Sequence, residues 1–326
     1  MKQTKILAIT LLSAALLSAC SSNNKSAESQ STTDDLQGEI SLSGAFALYP
    51  LAVEWGKEFQ KLHPGVKVDI SAGGAGKGIT DALAGMVDFG MVSRELHQSE
   101  VDKGALAFAV AKDAVVPTIN ANNPKIDEIL KKGLTPEAAT KLWVTQETKT
   151  WGDFLGTDDN TPVHVYTRSD ACGAAETWAN WFGKKQEDLQ GTAVYADPGL
   201  AKAIQDDIYG IGLNNIGYVY DANTHKPNSG LKVLPIDVNG DGFISGDENF
   251  YDVKDSVTKA IAVGKYPSPP ARDLYLVSKG VPTNPVVIEF LKYVLSKGQE
   301  LNGPAGYIKM SNEKIKVGME KLESKK

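Results

Sequence analysis

Residues 40–86 read ISLSGAFALYPLAVEWGKEFQKLHPGVKVDISAGGAGKGITDALAGM, and the architecture can be built outward from them. Residues 40–43 give a short strand signal that stops at Gly44. Pro50, Leu51, Trp55, Phe59 and Leu62 then recur at helical spacing. Residues 66–70 alternate apolar and polar, as a half-buried strand does, and run into a glycine loop. Ile79, Leu83 and Met86 mark a second helix. A strand, a turn of small residues and a helix, repeated at once, begins an α/β fold with a largely parallel sheet.

The same rhythm continues along the chain. Strands are predicted at 106–110, 115–119, 163–166, 233–236 and 273–277, with a strand-like GYVY inside 211–220. Helices are predicted at 134–142, with Thr135 as cap and Pro136 in the first turn, at 174–182 and at 286–295. No repeat of fixed period is present.

The start of the chain points to a compartment. Lys2 and Lys5 precede an apolar run over 6–17, which is short for a membrane span, and Leu17-Ser18-Ala19-Cys20 closes it. This reads as a secretory signal peptide over 1–19. Small residues before Cys20 resemble the lipobox of bacterial lipoproteins, in which that cysteine becomes the acylated N-terminus. Residues 20–37 are rich in Ser, Asn, Thr and Asp and read as a flexible tether. The membrane is then reached through the lipid alone. The whole chain carries a formal charge of −6, and losing a leader that holds two lysines and no acid makes it −8. That argues against a general binder of nucleic acid. It leaves an anion site open, because backbone dipoles bind anions in acidic proteins. With Cys20 acylated, Cys172 has no partner for a disulfide.

Three segments share one design, a strand, a tight turn of small residues and a helix. They are Ser43-Gly44-Ala45-Phe46-Ala47-Leu48-Tyr49-Pro50, Ser71 to Ile79 through Gly74-Ala75-Gly76, and Tyr166 to Ala174 through Arg168-Ser169-Asp170-Ala171-Cys172-Gly173. The first N–H groups of a helix lack internal partners and carry partial positive charge, and glycine lets a ligand approach them. Three such helix starts brought together would cage an oxyanion. Spacing alone does not bring them together.

The order of six segments resembles the phosphate-binding proteins of ABC importers. SLSGAFALYPLAVEW (41–55) is similar to their opening turn and first helix, and GGAGKGI (73–79) to their glycine-serine loop. DFGMVSREL (88–96) is similar to their D-[IF]-G-x-S-[SD] segment, and RSDACGAAETW (168–178) to their R-x-D-G-S-G-T loop. ARDLYLVSKG (271–280) and FLKYVLSKGQELNGPAGY (290–307) resemble their returning strand, late helix and Gly-Tyr turn.

The resemblance implies a two-lobed type II periplasmic-binding fold, α/β throughout, with two hinge strands and a ligand cleft. Lobe one is then 38–118 plus 264–326 and lobe two 119–263, hinged near 115–119 and 260–263. It implies a solute-binding component that needs no catalytic residues, captures phosphate or a related oxyanion, hands it to ABC permease subunits and works as a monomer.

The implied ligand-binding residues are Ser43, Ala45, Phe46, Ala47, Leu48, Tyr49, Gly74, Ala75, Gly76, Ser93, Arg94, Arg168, Ser169, Asp170, Cys172, Gly173 and Ala174. Arg168 falls on the family's anion-pairing arginine, whose fork can grip a tetrahedral oxyanion through two hydrogen bonds. Ser93 falls where some members use an acceptor Asp, and Arg94 adds charge beside it. Phe46, Ala47, Ala75, Cys172 and Ala174 stand where family members often carry hydroxyls. Either main chain and arginines hold phosphate without them, or the cleft, with Phe46 and Tyr49 in it, has diverged to another small ligand in a binding or sensing role. For single residues there are competing structural readings, an Arg168–Asp170 ion pair and a helix N-cap at Ser93 ahead of Arg94-Glu95-Leu96.

Residues 237–248, DVNGDGFISGDE, fit an EF-hand loop. Oxygen ligands fall at loop positions 1, 3, 5, 9 and 12, from Asp237, Asn239, Asp241, Ser245 and Glu248. Phe243 offers its carbonyl at position 7, and Gly242 makes the sharp turn at position 6. Calcium in a structural role is expected there. An enzyme would need a metal-bound water or an activated nucleophile near the anion. The calcium loop is far along the chain from the three turns, and none of the four histidines sits in a recognisable catalytic motif.

Overall fold

The computed structural model describes residues 36–324. The signal peptide, the acylation of Cys20 and nearly all of the tether expected at 20–37 lie outside the described residues. Among the described residues no helix is long and apolar enough to cross a membrane.

The first part of the chain runs β1 (Gly38–Gly44), α1 (Tyr49–Leu62), β2 (Val66–Ala72), α2 (Ala75–Ala84), β3 (Phe89–Val92), α3 (Gln98–Val101) and β4 (Ala105–Asn120). The middle adds α4 (Ile126–Lys132), α5 (Pro136–Trp143), α6 (Trp151–Leu155), β5 (His164–Arg168), α7 (Gly173–Trp181), β6 (Thr192–Val194), α8 (Asp197–Asp206), β7 (Gly210–Asn215), α9 (Ile216–Val219), β8 (Leu231–Val233) and α10 (Lys254–Ala262). The chain then returns through β9 (Ala271–Lys279), α11 (Pro285–Leu295) and α12 (Asn312–Glu323).

The strands form one continuous path, β2-β1-β3-β9-β4-β7-β5-β6, with β8 alongside β4. Each end of the path is parallel: β1 pairs in parallel with β2 and β3, and β5 in parallel with β6 and β7. The middle is antiparallel, where β9 lies between β3 and β4 and β4 pairs with β7. Parallel ends covered by helices are what the alternating sequence rhythm requires.

Apolar side chains collect into separate cores. One, built around Trp55, Phe59, Phe89, Phe108 and Phe290, draws on residues 40–111 and 274–322. A second, around Trp143, Trp151 and Trp178, draws on residues 115–234. A third, around Tyr220, Tyr251 and Tyr266, lies between Ala114 and Ala271. β4 and β9 are the strands that pass from the first core to the others, and between them Asp113 is buried against Arg272, with Nε to Oδ1 at 3.0 Å.

Three expectations change. The strands expected at 106–110 and 115–119 are one strand, because Lys112 and Asp113 pair with Asp273 and Arg272 of β9 instead of turning. GYVY (217–220) is not a strand: it follows β7 as the helical turn α9 and its end. The second crossing strand is not near 260–263, which closes α10; β9 takes that place. The cap at Thr135 forms as expected, its Oγ1 accepting from Ala138 N at 3.2 Å.

Candidate functional site

The three small-residue turns meet. The first turn bonds to the second, since Gly73 and Gly74 N–H donate to Gly44 O at 2.8 and 3.0 Å. Gly76 N–H in the second donates to Ala171 O in the third at 3.2 Å. Gly74 sits at φ +87°, where a side chain would be strained, and a Cβ there would also meet Ala171 O and Asp170 Oδ2 at 3.0 and 3.1 Å. β3 and the residue after it join them: Ala45 N–H donates to Met91 O of β3 at 2.8 Å, and Gly173 lies so close to Ser93 that a methyl would collide with its O and Oγ. The fold thus supplies the convergence that spacing could not.

What the turns present is main chain. Among the described residues, the N–H groups of Phe46, Ala47, Ala75, Gly173 and Ala174 meet no acceptor. Two tyrosines orient the first turn. Tyr218 donates its hydroxyl to Phe46 O at 3.0 Å, and Tyr307 to Ala47 O at 2.8 Å. In a trans peptide the C=O of one residue and the N–H of the next point in opposite directions. Holding Phe46 O therefore fixes the direction of Ala47 N–H.

Arg168 ends β5 with its side chain wholly buried. Its Nε and Nη2 donate to Asp170 at 2.9 and 2.6 Å, and its Nη1 to Asp197 Oδ2 at 2.6 Å. Burial opposes the guanidinium charge, but Asp197 and Asp170 outweigh it and hold the group above its ordinary value. The Phe46 ring covers it, 5.8 Å from the guanidinium carbon, with Tyr195 edge-on to Phe46 at 6.1 Å. The competing reading of Arg168 as half of an Asp170 ion pair is therefore correct as geometry. The cluster of one cation and two carboxylates is net negative, so attraction for an anion has to come from the surrounding N–H groups.

The other expected residues fall unevenly. Ser93 is buried with its hydroxyl free of protein partners among the described residues, and no helix starts behind it, so it is not an N-cap. Arg94 gives its charge to Glu100, through Nη2 at 2.7 Å, and to Glu176, through Nε at 3.0 Å. Ser43 Oγ donates to Asp81 at 2.7 Å. Leu48 N–H and Tyr49 N–H both turn back to Ala45 O at 3.1 and 3.2 Å, and Leu48 fills the first core. Ser169 is exposed, its N–H given to Val194 O. Cys172 caps α7, its Sγ accepting from Ala175 N at 3.4 Å, and burial first of all pushes its thiol up to about 12. Burial and the raised thiol both disfavour the thiolate that a nucleophile requires.

Sequence reasoning missed Asp197, Tyr218 and Gln186. Gln186 clamps the third turn, accepting from Cys172 N at 3.1 Å and donating to Asp170 O at 2.7 Å. The Asp197-Pro198 pair at the start of α8 was the one available signal, an acid in a helix's first turn.

The 237–248 loop is wound on its own oxygens. Asp237 accepts from Gly240 N at 2.7 Å and Gly242 N at 2.8 Å, and both glycines have positive φ. Glu248 accepts from Val238 N at 2.9 Å and from Ser245 N and Oγ at 3.1 and 3.0 Å. Burial opposes its charge, yet these N–H bonds leave its carboxyl below the ordinary value. Ile244 N–H pins the loop to Lys131 O at 2.7 Å. Among the described residues no three His, Cys, Asp or Glu side chains stand as a preassembled metal cluster. The Asn239, Phe243 and Ser245 oxygens would have to complete any ligand set.

A sequence profile described as the PBP superfamily domain matches residues 28–297. The chain belongs to the PBP superfamily. Across the full length, this PBP-superfamily chain is 23% identical to the phosphate-binding protein PstS of Staphylococcus haemolyticus, covering 99% of this chain and 98% of that one. Its fold is that of solved phosphate-binding relatives. A phosphate ABC transporter substrate-binding protein from Clostridium perfringens, with bound phosphate, superposes with a TM-score of 0.69 at 20% identity, over 84% of this chain and 100% of that one. An ABC-type phosphate transport receptor from Vibrio cholerae gives 0.60 at 18% identity, over 83% and 100%. The type II periplasmic-binding fold expected of this PBP-superfamily chain is borne out.

Proposed function

We propose that this protein captures inorganic phosphate between its first and second cores and delivers it to the permease of an ABC importer. The observation that carries the reading is the meeting of three helix-start turns, with N–H groups at 46, 47, 75, 173 and 174 that have no partner among the described residues, around buried Arg168. The bound phosphate of the C. perfringens structure and the PstS names of the full-length relatives support it. Binding and release come from closing and opening of the cores as lobes about β4 and β9. The work is done outside the cytoplasm, with the protein held to the membrane through acylated Cys20, as a monomer and without catalysis.

Calorimetric titration of the soluble body, from Leu36 onward, tests this. Saturable one-to-one binding of phosphate with none of sulfate is expected. No heat with either ligand would sink the phosphate reading and favour a cleft diverged to another small molecule.

We also propose that calcium fills the 237–248 loop in a structural role. Oxygen donors at loop positions 1, 3, 5, 7, 9 and 12 suit a hard cation, with Asp237, Asn239, Asp241, Phe243 O, Ser245 and Glu248 holding it. A Kd near about 0.1 mM and about 1 mM calcium would add roughly 1.4 kcal/mol of stability. That is a rise in Tm of a few degrees, on the order of 2–4 °C. Asp237→Ala is a poor probe, because it also orphans Gly240 and Gly242 N–H. Asp241 is exposed: its Oδ1 accepts from Phe243 N, a bond Asn keeps, and its Oδ2 accepts from Asn239 Nδ2 at 3.0 Å, a solvent-exposed bond that water can replace. Asp241→Asn is expected to leave the melting point in chelator unchanged and to remove most of the calcium increment. A wild-type melting point indifferent to calcium would refute the metal.

A further inference from the structure

Arg94, His97 and Glu176 make a charged contact that the capture site does not explain. Arg94 and His97 follow β3, in the segment that packs on the first core through Leu96. Glu176 is on α7, whose Ala174, Ala175, Trp178 and Ala179 belong to the second core. Glu176 Oε2 meets Arg94 Nε at 3.0 Å, and Oε1 meets His97 Nε2 at 2.9 Å. The contact therefore spans the two cores. It is three residues along α7 from Gly173, whose N–H belongs to the anion site.

The partners differ in what opening would do to them. Arg94 also holds Glu100 through two bonds, Nη1 to Oε2 at 2.9 Å and Nη2 to Oε1 at 2.7 Å, and both residues lie in the stretch between β3 and β4. Separation of the cores leaves that pair intact. Burial opposes the charge on Glu100, but Arg94 and the His97 N–H hold its carboxyl below the ordinary value. Arg94 thus keeps a counter-ion in either state, and no buried charge is stranded when Glu176 departs. Glu176, about a quarter exposed, goes to water. A cavity of about 550 Å³, lined in part by Arg94, His97, Cys172, Glu176 and Lys185, runs alongside, so the contact is solvated and moderate in strength.

We propose that Glu176 is a positioning residue for the closed state: its bridge to Arg94 and His97 sets how fast captured phosphate is released, without touching the ligand. This rests on the phosphate-capture reading above. The encounter of phosphate with the open site does not involve the bridge, so association is unaffected and dissociation carries the whole effect.

The test is stopped-flow kinetics on the full chain in detergent, with phosphate as the ligand. Glu176→Gln keeps the shape and removes the charge. Release is expected to be about tenfold faster, with association within twofold of wild type and the ligand-free melting point unchanged. Rising salt is expected to speed wild-type release and to leave the variant's almost constant, since screening removes only what the bridge supplies. His97→Ala is expected to speed release two- to threefold. If wild type binds phosphate but Glu176→Gln releases it at the wild-type rate, or slows association as much as it speeds release, the bridge has no such role. If wild type binds no phosphate, the capture reading itself has failed.

Discussion

Arg168→Ala is expected to abolish measurable phosphate binding and to weaken the fold as well. From the sequence alone, an alanine here should remove binding and leave the body intact. In the structure the two effects are not separable in the single variant, because Asp170 and Asp197 would be left as buried carboxylates without a cation. Stranding a buried charge costs about 3–5 kcal/mol, a large part of the about 5–15 kcal/mol that holds a domain together. A single variant that fails to bind would thus confuse lost recognition with lost structure. Arg168→Ala combined with Asp170→Asn and Asp197→Asn removes the stranded charges and is expected to regain most of the melting temperature. If Arg168 touches the ligand, this folded triple variant still does not bind, since two charge-assisted bonds lost at about 1.5–3 kcal/mol each mean at least a hundredfold weaker binding. Wild-type affinity in the triple variant would make Arg168 a purely structural ion pair.

Gly173→Ala is the second large effect. The new methyl collides with Ser93 O and Oγ, and Ser93 is held by the backbone that continues β3. Backbone does not swing away as a flexible side chain does, so the third turn has to retreat from the segment after β3. That retreat carries the Gly173 and Ala174 N–H groups off the site. Phosphate affinity is expected to fall at least a hundredfold in calorimetry, while the ligand-free protein, free to sit more open, keeps its melting point within a few degrees. An unchanged affinity would show that the two segments are not pressed together when the anion is bound.

The first half of the fold was legible because each element there is local. The strand at β1, the helical spacing of α1 and the glycine loop before α2 are set by neighbours a few residues away. Errors came where a distant partner decided. Lys112-Asp113 looked like a break between two strands, but Arg272, 159 residues on, satisfies Asp113 and lets β4 run through. GYVY has strand propensity, yet its tyrosines are held by Phe46 O and Tyr251 O, and the backbone winds to reach them. The candidate site divides the same way. The turns were visible as turns, and Arg168 with Asp170 as a pair two residues apart. Asp197, Tyr218 and Gln186 were not visible, because nothing in their own surroundings names the residues they serve.

The donors at the proposed capture site belong to the peptide backbone, and a peptide N–H is the same whichever amino acid carries it. Ala47, Ala75 and Ala174 bring no hydroxyl to these turns, yet each N–H is the donor that a serine or threonine there would also carry. What decides where those donors point lies elsewhere: the tyrosines at 218 and 307 that hold two carbonyls, and the glycines that let the turns touch. Ligand chemistry in such a design resides in shape, so the side chains of the turns say little about it and the distant residues that brace them say more.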